Sequence, residues 1–118
     1  MLKIEVKPLD KLFSKYIKLR DKVCQRCGCY SKYLQTSHYH GRAIKSTRWF
    51  DDNCCLLCMG CHMYFHGHRI DHDQFFLKRL GQERFDKLNM QAQMIEKHVD
   101  VWGITLYLRE QIKKLGEG

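Results

Sequence analysis

Two Cys-x-x-Cys pairs, Cys24/Cys27 and Cys58/Cys61, constrain this chain more than any other feature. Two thiolates from one tight turn reach the same ion, and two such turns build the tetrahedral sulfur cage that zinc prefers. The expectation is a structural Zn²⁺ that staples two distant segments, because a closed four-thiolate site leaves no open coordination position. Cys29 offers a Cys-x-Cys alternative to Cys27. Cys54 and Cys55 fall in an apolar run, where free cysteine behaves as a small hydrophobe.

The chain has 118 residues, seven of them cysteine. That length suits one domain, and a small core gains from a metal staple. In a secreted protein such cysteines would form disulfides. Met1 to Lys11 instead alternates apolar and charged residues, without the apolar stretch of a signal peptide. No run is long enough to span a bilayer. We therefore expect a cytoplasmic, intracellular protein with no membrane partner, in which clustered cysteines are metal ligands. The formal charge is +8. Four thiolates and one Zn²⁺ would bring it to about +6, which still favours a polyanionic partner such as nucleic acid.

Leu2, Ile4 and Val6 read as a short strand or extended arm, ended by Pro8. Asp10 can cap a helix with the stripe Leu9, Leu12, Phe13, Tyr16 and Ile17, running to about Lys22. Tyr33 to His38 reads as a strand and Gly41 to Thr47 as a basic loop. Asp51-Asp52-Asn53 is a turn signal, and Cys54 to Leu57 is a second strand. A helix carrying His62 and His66 follows and stops at Gly67. Three helical patterns complete the chain. The first is capped by Asp71 or Asp73, carries Phe75, Phe76, Leu77 and Leu80, and ends at Gly81. The second carries Phe85, Leu88, Ala92, Ile95 and Val99. The third carries Ile104, Leu108, Ile112 and Leu115. These stripes suit a core or a homodimer seam.

Five of the seven histidines cluster: His38, His40, His62, His66 and His68. His62 and His66, at i and i+4, place two imidazoles on one helix face, where they can chelate one ion. His62 directly follows the second cysteine pair, so the zinc staple would fix the start of its helix. His38 ends a strand, and neutral histidine is a good general base for water attacking phosphorus. Asn53 can pin the histidine-bearing loop through backbone hydrogen bonds, or serve as a plain turn residue. Arg42, Lys45 and Arg48 are candidates for phosphate contacts. Lys45, Arg69, Lys78 and Arg79 add non-specific affinity. His68, His72 and His98 carry no role and read as surface or capping residues.

The order Cys-x-x-Cys, Ser37-His38, Asp52-Asn53, Leu57-Cys58-x-x-Cys61-His62 and His66 resembles the HNH endonuclease family. Leu34-Gln-Thr-Ser-His38-Tyr-His-Gly-Arg42, Arg48-Trp-Phe-Asp-Asp-Asn53 and Phe76-Leu-Lys-Arg-Leu-Gly81 are similar to the phage recombination nucleases NinG and Rap. The resemblance implies an α+β fold. A small ββα-metal HNH core over about 22–68 would carry a four-cysteine zinc staple. An N-terminal helix and C-terminal helices (about 71–116) would complete one domain, 1–118. It implies a metal-dependent DNA endonuclease that hydrolyses phosphodiester bonds in branched recombination intermediates, leaving 5′-phosphate and 3′-hydroxyl ends. His38 would be the general base, Asn53 the middle Asn, and His62 and His66 the ligands of the catalytic ion. HNH proteins place Asp or His before the base as a further ligand, and this chain has Ser37. Either the ion keeps a water or His40 supplies the ligand. A retained water suits Mg²⁺. Two imidazoles suit Mn²⁺, Ni²⁺ or Zn²⁺ better. The rival reading is a zinc-ribbon nucleic-acid-binding module without catalysis, which leaves the histidine arrangement as coincidence. Another is an interaction protein whose C-terminal helices bind a partner.

Overall fold

The computed structural model describes residues 6–116. Leu2 and Ile4 of the expected N-terminal strand or arm lie outside the described residues. Pro8 itself is helical. It sits in the first turn of helix α1, Lys7–Asp21, where its fixed φ suits the helix and its missing N–H costs nothing. Asp10 does not cap this helix either: Val6 occupies the N-cap, and Asp10 lies inside the first turn. Leu9, Phe13, Tyr16 and Ile17 are buried along one face, and Leu12 is partly covered.

Strands β1 (Gln35–His38) and β2 (Cys54–Leu57) pair antiparallel, with Ser37 opposite Cys55 and His38 opposite Cys54. β1 is shorter than the expected Tyr33–His38, because Tyr33 stands in solvent, 69% exposed. All four residues of β2 are buried. Its free edge is satisfied from α1 and the chain after it. The Leu56 N–H donates to the Asp21 carboxylate at 2.9 Å, and the Leu56 carbonyl accepts from the Gln25 N–H at 2.9 Å. A buried edge left unpaired would carry a desolvation cost at every such group.

The expected loop Gly41–Thr47 contains part of a short helix, α2 (Lys45–Arg48), drawn inward by the fully buried Thr47. Asp51–Asn53 forms a 3-10 turn. Helix α3 (Met59–Gly67) follows β2, giving the order β1, α2, the 3-10 turn, β2, α3. Helix α4 spans Arg69–Leu80 and begins ahead of the expected caps. Asp71 and Asp73 are inside it, accepting hydrogen bonds from the Tyr64 and Tyr39 hydroxyls. Gly81 ends α4 with φ +84°, a backbone that glycine adopts without strain.

Helix α5 (Gln82–Ala92) is shorter than its sequence pattern: Ile95 is 87% exposed, and Val99 packs from the connection that follows. The chain must turn there so that α6 (Val101–Lys114) can return onto α1. Asp100 caps α6, accepting from the Gly103 N–H at 3.0 Å. That cap needs non-helical backbone where the apolar pattern alone would continue. Leu108 and Ile112 bury against the core. Among the described residues no helix is long and apolar enough to cross a membrane.

Asp21 joins α1, β2 and α4. Its side chain, 4% exposed, accepts from Arg20 at 2.8 Å, from Arg79 at 3.3 Å, and from the Leu56 N–H. Asp21→Ala should cost about 3 kcal/mol in urea unfolding, the low end for a broken buried pair, because both arginines stay partly wet. A loss below about 1 kcal/mol would mean the network acts as a surface ion pair.

Candidate functional site

The sulfur atoms of Cys24, Cys27, Cys58 and Cys61 all lie within 4.8 Å of one another. The Cys27 and Cys58 sulfurs are 3.8 Å apart. A tetrahedron with zinc–sulfur bonds of about 2.3 Å has edges of about 3.8 Å, so the donor set fits zinc in kind and in spacing. Cys29 is exposed and stands outside the four. Cys54 and Cys55 are buried in β2, and burial pushes the Cys55 thiol up to about 12.

The two turns favour the thiolate at Cys24 and Cys58, whereas burial pushes the Cys61 thiol up to about 12. Backbone N–H groups of Cys27 and Cys61 point at the Cys24 and Cys58 sulfurs, each at 3.4 Å. Burial would raise the Cys24 thiol, but such N–H groups outweigh it and bring it down to about 6. Gly28, at φ +78°, lets the first turn close. Arg26 donates to the Cys61 sulfur at 3.4 Å and lies over the Tyr64 ring at 4.1 Å.

The second cysteine turn runs into α3, and α3 carries the histidine pair. The Nε2 atoms of His62 and His66 are 3.2 Å apart. A shared proton or a shared cation satisfies that contact. At metal–nitrogen distances of about 2.1 Å, the two nitrogens would subtend about 100° at an ion, between octahedral and tetrahedral angles. His62 Nδ1 meets the Ser37 hydroxyl at 3.1 Å. If Nδ1 donates there, the Nε2 lone pair faces His66. Burial first, then His66, lowers the His62 pKa and favours its neutral form.

His38 shares a cavity of about 230 Å³ with this pair, together with Ser37, Arg69 and His72. His38 Nε2 lies 3.0 Å from the Arg48 carbonyl. A carbonyl only accepts, so Nε2 carries the proton and Nδ1 the lone pair. Burial lowers the His38 pKa, so the ring is neutral at pH 7. A larger groove of about 1070 Å³ along α1 is lined by four lysines, Arg42, Asp10, Ser14 and apolar residues, without a histidine or cysteine.

Asn53 is fully buried. Its side chain accepts from the His40 N–H at 2.8 Å and donates to the His40 carbonyl at 3.0 Å. It thereby fixes the backbone just past His38. His40 itself is not brought to the pair: its Nε2 bonds Asn89 at 2.8 Å, and its ring does not line the cavity. Arg48 is held by Asp10 at 2.5 Å and Arg42 by the same carboxylate at 2.8 Å. Arg48 is largely buried, Arg42 is 60% exposed, and Lys45 is exposed. Asp10 also accepts from Trp49 Nε1 at 2.9 Å. Arg79 is tied to Asp21 and Gln25, whereas Lys78 is exposed.

Sequence reasoning missed three residues. Ser37 orients His62, and Asp10 holds the residue whose carbonyl fixes His38. His72 is not a surface residue but a wall of the cavity. His68 does stand at a helix junction, its Nδ1 2.7 Å from the Tyr64 carbonyl. These contacts join distant segments, which local spacing such as that of His62 and His66 does not reveal.

A family model described as Bacteriophage Lambda NinG protein matches residues 3–117. No curated protein and no solved structure matches the chain.

Two outcomes follow from this geometry. Cys61→Ala should lose zinc and melt well below the wild type, since metal binding to such sites is folding free energy; unchanged zinc content and melting temperature would contradict the four-thiolate site. The second concerns Asp10. Burial would raise its carboxyl, but hydrogen bonds from Arg48, Arg42 and Trp49 outweigh that and hold it below the ordinary carboxylate value. The stability it supplies is therefore present at neutral pH and lost as pH falls through that depressed pKa. Asp10→Asn should be less stable by about 1–3 kcal/mol at pH 7 in urea unfolding, with the gap shrinking toward pH 3. A gap independent of pH would contradict the ionic clamp.

Proposed function

Because the chain belongs to the NinG family, whose model spans it almost end to end, we propose that it is an HNH-type, metal-dependent DNA endonuclease that hydrolyses phosphodiester bonds, with branched recombination intermediates as substrates. The observation that carries this reading is the convergence of His38 with the His62/His66 pair on one cavity beside the cysteine cluster. A non-catalytic zinc module has no need of that convergence.

His62 and His66 would hold the divalent ion, with Ser37 orienting His62. When bound, such an ion supplies positive charge to the scissile phosphate and its leaving oxygen. Two imidazoles favour Mn²⁺, Ni²⁺ or Zn²⁺ over Mg²⁺. His38 supplies the base. Its proton sits on Nε2, bonded to the Arg48 carbonyl, so Nδ1 is free to take a proton from the attacking water. Its low basicity keeps it neutral and ready at pH 7. Asn53 holds the strand end that carries it.

Phosphate contacts fall to the exposed cations near the cavity. Arg69 lines it, 71% exposed beside Asp73, and Arg42 follows Gly41 on its lip. Lys45 extends the basic surface along α2. Arg48, spent on Asp10, acts through His38 rather than on DNA.

The test is cleavage of labelled branched and linear duplex DNA with Mn²⁺, Mg²⁺, Ni²⁺ or EDTA. We expect metal-dependent cutting, favouring the branched substrate. His38→Ala should cut at least about 100-fold more slowly with binding unchanged. DNA affinity should fall steeply, by about 10³-fold or more, from 50 to 200 mM salt if six or more phosphates are contacted. Tight binding without cutting under every ion would replace the nuclease with a zinc-stabilised binding module.

A further inference from the structure

One histidine in the cavity has no part in the mechanism above. His72, on α4, stacks on Phe65 at 4.8 Å between ring centroids, and meets Tyr39 edge-on at 5.1 Å and Phe76 at 5.4 Å. Its Nε2 is, among the described residues, the one buried side-chain nitrogen or oxygen without a hydrogen-bond partner. An orphan of that kind destabilises the fold. Phenylalanine would fill the same aromatic cage without it. Burial brings the His72 pKa down to about 4, so the ring is neutral at pH 7. His72 lines the cavity shared with His38, His62 and His66, and with Nε2 enclosed we infer that Nδ1 is the nitrogen available to it.

That cavity lacks a third protein ligand from the expected places. The Ser37 hydroxyl is engaged by His62, and His40 is engaged by Asn89. His72 is too far to join the histidine pair directly. Among the described residues, the four cysteines are the one set of three or more ligand groups gathered within 4.8 Å. The reach that fits is longer by one water. A cavity of about 230 Å³ has room for several waters, each taking about 30 Å³.

We propose that His72 is a positioning residue of the histidine site: its Nδ1 holds a water ligand of the ion carried by His62 and His66. It compensates for the ligand that Ser37 does not provide, and the orphaned Nε2 is the stability given up for it. The proposal rests on the reading of His62 and His66 as an ion site.

The test uses the full zinc-loaded chain, titrated with Mn²⁺ while free Mn²⁺ is followed by electron paramagnetic resonance. Melting temperatures are measured without Mn²⁺. Wild type should bind one Mn²⁺ per chain, and His62→Ala should lose it. His72→Phe should bind about 10–100-fold more weakly, the usual effect of losing such an outer partner, while melting at or above the wild-type temperature. His72→Asn, whose amide sets a hydrogen-bonding atom near the place of Nδ1, should recover most of the affinity. Equal affinity in wild type and His72→Phe overturns the proposal and leaves the ion site standing. Equal loss in His72→Phe and His72→Asn also overturns it, because a hydrogen-bonding atom near the place of Nδ1 would then not be what the ion site needs. No Mn²⁺ uptake by wild type overturns the ion site itself, and the proposal with it.

Discussion

The gathering of four cysteine sulfurs within 4.8 Å is the constraint on which the rest of this structure depends. It joins the end of α1 to the start of α3. The first turn lies along the buried strand β2 through the Gln25 N–H and Leu56 carbonyl. The second turn supplies the N-cap of α3, where the Cys58 sulfur accepts from the Cys61 N–H. His62 follows at once. The cysteine cluster thus sets the starting angle of the helix whose face carries His62 and His66.

Two carboxylates extend this control. Asp21 gathers Arg20, Arg79 and the free edge of β2, which fixes the sheet against α1 and α4. Asp10 gathers Arg42, Arg48 and Trp49. Its importance for the site is indirect: holding Arg48 places the carbonyl that decides which nitrogen of His38 bears the proton. Asn53 completes the frame by bonding both backbone groups of His40. The histidines therefore rest on buried groups from α1, from the turn before β2 and from the strand itself. This is the support that a preorganised site requires.

Much of the frame was legible in the sequence. The cysteine spacing announced the sulfur cluster, and the four-residue spacing of His62 and His66 announced a shared helix face. The apolar run Cys54–Leu57 is β2, and Asp51–Asn53 is a turn, as their residues suggest. What failed to show depends on partners far along the chain. Asp10 looks like a helix cap until α2 brings Arg48 to it. Ile95 and Val99 continue a helical stripe, but α6 must fold back on α1, and Asp100 claims the backbone for its cap. His72 reads as a surface residue on α4. The break at His68, φ −134°, turns it into the cavity. No local pattern encodes that break beyond Gly67.

The central claim is that the chain holds two sites of different chemistry, a closed sulfur site and a separate histidine site. The most direct measurement is zinc K-edge X-ray absorption on protein carrying one zinc per chain. The account predicts a shell of four sulfurs at about 2.3 Å. A shell containing imidazole nitrogen at about 2.0 Å would show that the histidines belong to the structural site, and would contradict the account.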